Sequence, residues 1–315
     1  MSTPLVSAIV PTRHRPHLLR RALRSILGQT LTDLEVIVVL DGPDPATEAV
    51  LAGEPDRRLR VLALPEHVGK ARASNAAVAA ARGRWLALLD DDDEWLPRKL
   101  EHQVTTAEQT ASPHVIVSCH FLVQAPAGDF LWPRRLPAAG EPLGDYLLAR
   151  NSPFTGEGMV QTLTLLADRP LMQAIPFDPR WRRHIDTDWL LRAAAVDGTT
   201  VRFVPQTEPL AVWHMEATGN HIGSSLDWRH SLDWVESHRR GLSPRAYSSF
   251  LLNQVAAIAA RSGDWRALPL LLRRAFTAGR PHPLLVAGSL ARFLLPQSAT
   301  GLAAGLNERF RGGRG

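Results

Sequence analysis

Four consecutive carboxylates, Asp90, Asp91, Asp92 and Asp93, follow directly on the apolar run at residues 85–89. Adjacent carboxylates repel one another, and holding them at the end of a buried strand costs stability unless a cation shares the site. Hard divalent ions take carboxylate oxygens, and Mg²⁺ is commonly shared between one or two carboxylates and substrate phosphates. A metal so placed neutralises charge developing on a departing diphosphate. The plain alternative is a solvated acidic loop. The strand before the run and Trp95-Leu96-Pro97 after it favour a site.

The elements that must position this run are legible. Residues 5–10, 34–40, 59–64, 85–89 and 114–119 are short, apolar and partly β-branched, so they read as buried strands. Between them, helical spacing of Leu18, Leu19, Ala22, Leu23, Ile26 and Leu27 predicts a helix that starts near Pro16 and ends at Gly28. Further helices are expected over 45–53, 69–81 and from Pro97 to about 109. This alternation predicts a parallel sheet with helices on both faces. Ligands of such sheets bind beyond the carboxyl ends of the strands. Pro11-Thr12, Asp41-Gly42 and the four aspartates all lie there.

Residues 120–180 are rich in Pro and Gly, and only 160–166 reads as a strand. A helix is expected from Asp186 to Val196, then short strands over 201–204 and 210–213. From residue 225 the pattern is helical, with apolar faces at Leu268, Leu271, Leu272, Ala275 and Phe276 and again at Leu284, Leu285, Val286, Leu290, Phe293 and Leu294. The expected division is a domain at 1–224, in parts 1–110 and 111–224, and a helical extension at 225–315.

Composition is that of an ordinary globular protein, 45% hydrophobic and 21% charged over 315 residues. Cys119 is the sole cysteine, which excludes an intrachain disulfide and fits a packing role. The net charge of +5 is carried by scattered arginines, and the two lysines are Lys70 and Lys99. No dense basic tract appears, so nucleic acid is not an expected partner. The N-terminus reads as a strand rather than a signal peptide, and no apolar run is long enough to span a membrane. A cytoplasmic protein is expected.

The combined pattern resembles a family 2 glycosyltransferase. It is carried by Ser7-Ala8-Ile9-Val10-Pro11-Thr12, Ser25-Ile26-Leu27-Gly28-Gln29-Thr30, Glu35 to Gly42 and Leu88 to Pro97. Its order and spacing match over about residues 5–110, with a weaker match to about 220. The resemblance implies an α/β, GT-A-type Rossmann-like fold with a mostly parallel sheet and a C-terminal helical extension. It also implies an inverting enzyme that moves a sugar from a nucleoside-diphosphate donor, usually a UDP-sugar, to a saccharide, lipid or other acceptor hydroxyl.

The roles it implies are specific. Pro11 and Thr12 line the base and ribose pocket, and Asp41 hydrogen-bonds the base; a carboxylate can accept from an imide N–H. Arg72 or Lys70 contacts the diphosphate, and Asp90 or Asp91 the ribose or donor sugar. Asp92 holds a divalent metal, Mn²⁺ or Mg²⁺, and His214 or His221 completes that site. Asp186, ahead of Leu190-Leu191-Arg192, is the general base, with Asp188 as alternative. A helix cap is the plain reading of both. Trp181 and Trp213 could stack on a sugar, though Trp is usually core.

Three positions depart from the family pattern: Leu40, Ser74 and Ile185, where Asp, Arg and Glu are usual. They keep open a non-catalytic sugar-nucleotide-binding protein. A nucleotidyltransferase would need a glycine-rich loop after the first strand, and Pro11 to Pro16 lacks glycine. The C-terminal helices are read as a packed cap, a pairing surface for two subunits, or a peripheral membrane contact.

Overall fold

The structure, a computed structural model, describes residues 3–126, 128–151, 157–215 and 227–294. The first half alternates β1 (Val6–Thr12), α1 (Pro16–Leu27), β2 (Leu34–Leu40), α2 (Pro45–Ala52), β3 (Leu59–Ala63), α3 (Lys70–Ala80) and β4 (Trp85–Leu88). Next come β5 (Glu94–Trp95), α4 (Lys99–Glu108), β6 (His114–Ser118), β7 (Phe121–Ala125), β8 (Gly128–Trp132) and α5 (Leu143–Leu148). Then follow β9 (Leu166–Asp168), α6 (Arg169–Ala174), α7 (Ile185–Ala194), β10 (Thr199–Phe203) and β11 (Ala211–His214). The helices α8 (Trp228–Ser237), α9 (Pro244–Phe250), α10 (Ala256–Arg261), α11 (Ala267–Ala278) and α12 (Pro283–Leu294) complete it.

The chain divides into two compact units, one of residues 1–124 and 160–215, the other of 125–159 and 216–315. Segment 125–159 therefore groups with the C-terminal helices.

The first unit is built on a seven-stranded sheet in the order β10-β6-β9-β4-β1-β2-β3. β9 runs antiparallel to β4 and β6, and the other pairs are parallel. Every residue of β2 is buried, as its unbroken apolar run requires. Each such Val, Ile or Leu contributes about 1.5–3 kcal/mol. Leu19, Ala22, Leu23 and Ile26 turn one face of α1 inward.

Register positions the site. Ile9 pairs with Leu88, so three residues further on Thr12 comes level with Asp91. Thr12 pairs with Leu40, so Asp41 emerges at the same edge. The order reverses between β1 and β4, which opens a crevice at their carboxyl ends. A second sheet holds the far side of the acidic loop: β5 pairs antiparallel with β11, which runs parallel to β7.

The expected strand at 160–166 is instead a 3₁₀ turn at Thr162–Thr164 followed by β9. Asp168 then caps α6 by accepting from Leu171 N–H. In the second unit, Leu271 and Ala275 are buried whereas Phe276 is exposed; on α12, Leu285 and Phe293 are buried whereas Leu284 and Leu294 are exposed. The apolar stripes are thus narrower than the sequence suggests. Among the described residues, no helix is long and apolar enough to cross a membrane. Cys119 is free and buried.

Candidate active site

Five chain segments meet at the sheet edge: the ends of β1 and β2, the start of α3, the loop after β4 and the start of α7. The clamp between β1 and β4 comes first. Thr12 Oγ1 donates to Asp91 Oδ2 at 2.6 Å, and Arg15 Nη1 reaches Asp91 Oδ1 at 3.2 Å and Asp92 Oδ2 at 3.0 Å. Asp91 is 6% exposed, and both its oxygens are engaged within the protein. Burial pushes its carboxyl up to about 6, against the bond from Thr12 and the charge of Arg15. Pro11 lies beside this clamp, half-buried.

Asp41 is directed at the start of α3. Its carboxylate accepts from Val68 N–H at 2.7 Å and Gly69 N–H at 3.0 Å, and His67 Nδ1 lies 2.8 Å away. Gly69 holds φ of +88°, a conformation that L side chains rarely adopt, and so turns the chain into the helix. One residue on, Lys70 Nζ lies 2.5 Å from Asp90 Oδ1 and 3.3 Å from Thr162 Oγ1. Burial works against the Lys70 charge, but Asp90, Asp186 and Asp92 together more than offset it, so its pKa is raised. Arg72, in contrast, is exposed.

Asp90, Asp92 and Asp93 each offer a carboxylate oxygen within 4.8 Å of the others. Burial, with Asp90 and Asp92 close by, pushes Asp93 well above the usual carboxylate range. Three hard oxygen donors under mutual repulsion fit a divalent cation. His214 is engaged differently. Its backbone N–H donates to Asp93 Oδ1 at 3.2 Å, and its Nε2 lies 2.8 Å from Glu94 Oε1. The imidazole is thus held beside the carboxylate set by the β5–β11 pairing. His221 lies outside the described residues.

Asp186 and Asp188 are distinguished by their partners. Asp188 is buried and bound by Arg192, with Nη2 at 2.6 Å and Nε at 2.8 Å. Asp186 accepts from Thr187 N–H at 2.8 Å, at the first turn of α7. Burial raises its pKa, Lys70 opposes that rise, and Asp90 adds to it. Asp186 therefore shares one electrostatic neighbourhood with the Lys70–Asp90 pair.

Sequence reasoning missed Arg15 and the role of Asn75. Asn75 Nδ2 donates to Phe177 O and its Oδ1 accepts from Phe177 N–H, both at 2.8 Å. This ties α3 to the segment leading into α7. Two arginines, Arg13 and Arg15, in the loop after the first strand were the available signal, and the sequence does not say which of them meets the acidic run. Trp181 is buried, and Trp213 packs beside Phe121 with ring centroids 6.5 Å apart.

A largely parallel sheet with a carboxylate-rich crevice at its switch point is the architecture of GT-A-type transferases. The pattern described as "Glycosyl transferase family 2" matches residues 7–167, just over half of the chain, and the chain belongs to that family. Amylovoran biosynthesis glycosyltransferase AmsB of Erwinia amylovora is 29% identical over 249 residues, 76% of this chain and 79% of that protein. Other curated relatives reach 32–39% identity over shorter stretches, and the alignments span only 30–44% of their own lengths.

Two solved structures share the fold. TarS 1-349 of S. aureus in complex with UDP-GlcNAc has a TM-score of 0.55 at 17% identity, covering 96% of this chain and 79% of that one. Mannosyltransferase PcManGT from Pyrobaculum calidifontis, in complex with GDP-Man and Mn²⁺, has a TM-score of 0.55 at 22% identity, covering 98% and 86%.

Proposed function

We propose that the chain transfers a sugar from a nucleoside-diphosphate donor to an acceptor hydroxyl, with inversion at the anomeric carbon. The observation that carries this reading is the Lys70–Asp90 pair with Asp186 in its field, beside a cluster of three carboxylates. Complexes of TarS with UDP-GlcNAc and of PcManGT with GDP-Man support the donor class.

Asp186 takes the acceptor hydroxyl proton as that oxygen bonds to the anomeric carbon. The bond from that carbon to the donor phosphate oxygen breaks, and its electron pair leaves with the diphosphate. Lys70 lies where it can bind a diphosphate oxygen, and Thr12, Pro11 and Asp41 lie along the nucleoside side of the crevice. Asp92, with Asp90 and Asp93, would hold Mn²⁺ or Mg²⁺, which supplies electrostatic stabilisation of the leaving diphosphate. One base and one displacement invert the configuration.

The test is a thermal-shift panel of nucleotide sugars with Mn²⁺, followed by donor-hydrolysis and transfer assays. A shift with one sugar nucleotide, and release of its nucleoside diphosphate, is expected. Binding without hydrolysis or transfer would favour a sugar-nucleotide-binding protein on the same fold.

A second reading, for the second unit, is peripheral contact with an anionic membrane. Trp265, Phe276, Leu284 and Leu294 are exposed, and so are Arg266, Arg273 and Arg280. Apolar anchors among cationic side chains suit a lipid surface. Flotation with phosphatidylglycerol vesicles, and its loss in Phe276→Ser/Leu284→Ser, is the expected outcome.

A further inference from the structure

Outside the crevice, α1 and the segment 94–97 enclose a groove of about 720 Å³. His17, Arg20, Arg21 and Arg24 line it from α1, and Glu94, Leu96 and Pro97 from the other wall. The four basic residues follow the spacing i, i+3, i+4, i+7, so they share one helix face. That face lies opposite the buried Leu19, Leu23 and Ile26.

The groove is braced. Trp95 N–H donates to Ser25 Oγ at 3.1 Å, Gln29 Nε2 to Leu96 O at 2.9 Å, and Thr30 N–H to Pro97 O at 2.8 Å. These bonds fix the second wall against the helix, so the guanidinium groups stand on a rigid floor. Arg21 is partly occupied: its Nη2 donates to Asp92 O, and its Nε lies 3.3 Å from Glu94 Oε1 without a hydrogen bond. Arg20, Arg24 and His17 are exposed.

Three guanidinium groups against the one carboxylate of Glu94 leave an excess of two positive charges. A phosphate group carries about −1.5 to −2 near neutral pH. Planar guanidinium forks also match phosphate oxygens two at a time. A single carboxylate would leave the groove under-neutralised.

We propose that this groove is a second anion site that takes a soluble phosphate-bearing ligand, separate from the donor diphosphate. It goes beyond the transferase reading, because Arg20, Arg24 and His17 belong to none of the donor or catalytic sets.

The test uses the full chain and isothermal titration with inorganic pyrophosphate at 0.15 M NaCl, in the presence of saturating UDP. The wild type is expected to bind, and Arg20→Gln/Arg24→Gln to lose at least tenfold in affinity. UDP binding, measured in parallel, should be unchanged in that variant. The charge-matched control Arg57→Gln/Arg202→Gln removes two exposed arginines elsewhere and should bind pyrophosphate as the wild type does. Equal pyrophosphate affinity in wild type and groove variant overturns the proposal. So does an equal loss in the control, which would mark only a general field. Loss of phosphatidylglycerol-vesicle binding in Arg20→Gln/Arg24→Gln, with no pyrophosphate binding by the wild type, also overturns it, since the groove would then be a membrane contact. Failure of UDP to bind at all would count against the donor reading and leave the pyrophosphate comparison intact.

Discussion

Lys70 Nζ and Asp90 Oδ1 stand 2.5 Å apart, joining the start of α3 to the end of β4 across the crevice. One ammonium faces three carboxylates, since Asp92 and Asp186 act on Lys70 as well as Asp90. An incoming diphosphate would compete with Asp90 for Lys70, and a cation on the aspartates would free it.

Replacing Lys70 by Met should therefore weaken both donor binding and turnover. A charge-assisted hydrogen bond is worth about 1.5–3 kcal/mol, which corresponds to about ten- to hundredfold in kcat/KM. Steady-state kinetics with the donor found in the thermal-shift panel measures this. An unchanged kcat/KM would remove Lys70 from the donor site.

Asp186 and Asp188 should separate cleanly. Asp186→Asn is expected to lower transfer by about 10²–10⁴, the usual scale for a general base, while UDP affinity stays near wild type. Asp188→Asn removes the charge partner of Arg192 and weakens its Nε hydrogen bond, and should lower stability by about 1–3 kcal/mol. Transfer rates and thermal melts of the two variants decide the assignment. Full activity in Asp186→Asn would reject it as the base.

These pairs show what could be read from sequence. Thr12, Asp41 and Asp90 to Asp93 were legible because each ends an apolar strand, and parallel register carries strand ends to one edge. The partners of Arg15 and Asn75, and the contact of His214 with Glu94, depended on chain paths that local pattern does not encode. Asn75 meets Phe177, 102 positions away, and His214 meets Glu94 through a two-residue strand too short to show any periodicity. Within the Pro- and Gly-rich 120–180, β9, α5 and α6 were too short to show a period, and Gln124, Gly128 and Asp129 break the apolar runs of β7 and β8.

The carboxylate cluster gives a metal prediction with its own readout. Asp93→Asn and Asp92→Asn should each weaken Mn²⁺ binding, followed by the paramagnetic signal of the free ion. Relief of repulsion on Asp93 should at the same time leave the metal-free protein no less stable. EDTA should abolish turnover, and Mn²⁺ should restore it. Turnover unaffected by EDTA, with no Mn²⁺ bound, would show that the cluster serves without a cation.

At the opposite edge of the sheet, Glu35 makes a pH prediction. Its buried carboxylate accepts from Ser7 Oγ, Arg60 and Arg82. Although burial opposes them, these donors lower it from 4.5 to about 2. A depressed folded pKa stabilises the native state above the ordinary value, and that stabilisation is lost as pH falls toward 2. With some screening of the half-exposed arginines, the contribution at pH 7 is about 2–3 kcal/mol. Urea unfolding should show Glu35→Gln less stable by that amount at pH 7, with the gap more than halved at pH 3. A gap independent of pH would mean that the carboxylate charge is not what the site uses.

Asn75 links stability to catalysis. Its two bonds to the Phe177 backbone hold the segment that delivers Asp186. Asn75→Ala leaves a buried peptide N–H and C=O short of partners, at a cost of about 1–3 kcal/mol. Misplacing a base by even an ångström can cost about 10²-fold in rate. The variant should therefore show a lower Tm and a lower kcat, with UDP affinity near wild type because Lys70 opens α3 five residues before Asn75 and Asp41 bonds the backbone just ahead of it. Asn75→Asp keeps the acceptor for Phe177 N–H but loses the donor, so it should fall between the two. A drop in Tm with unchanged kcat would confine Asn75 to stability and separate the position of Asp186 from this contact.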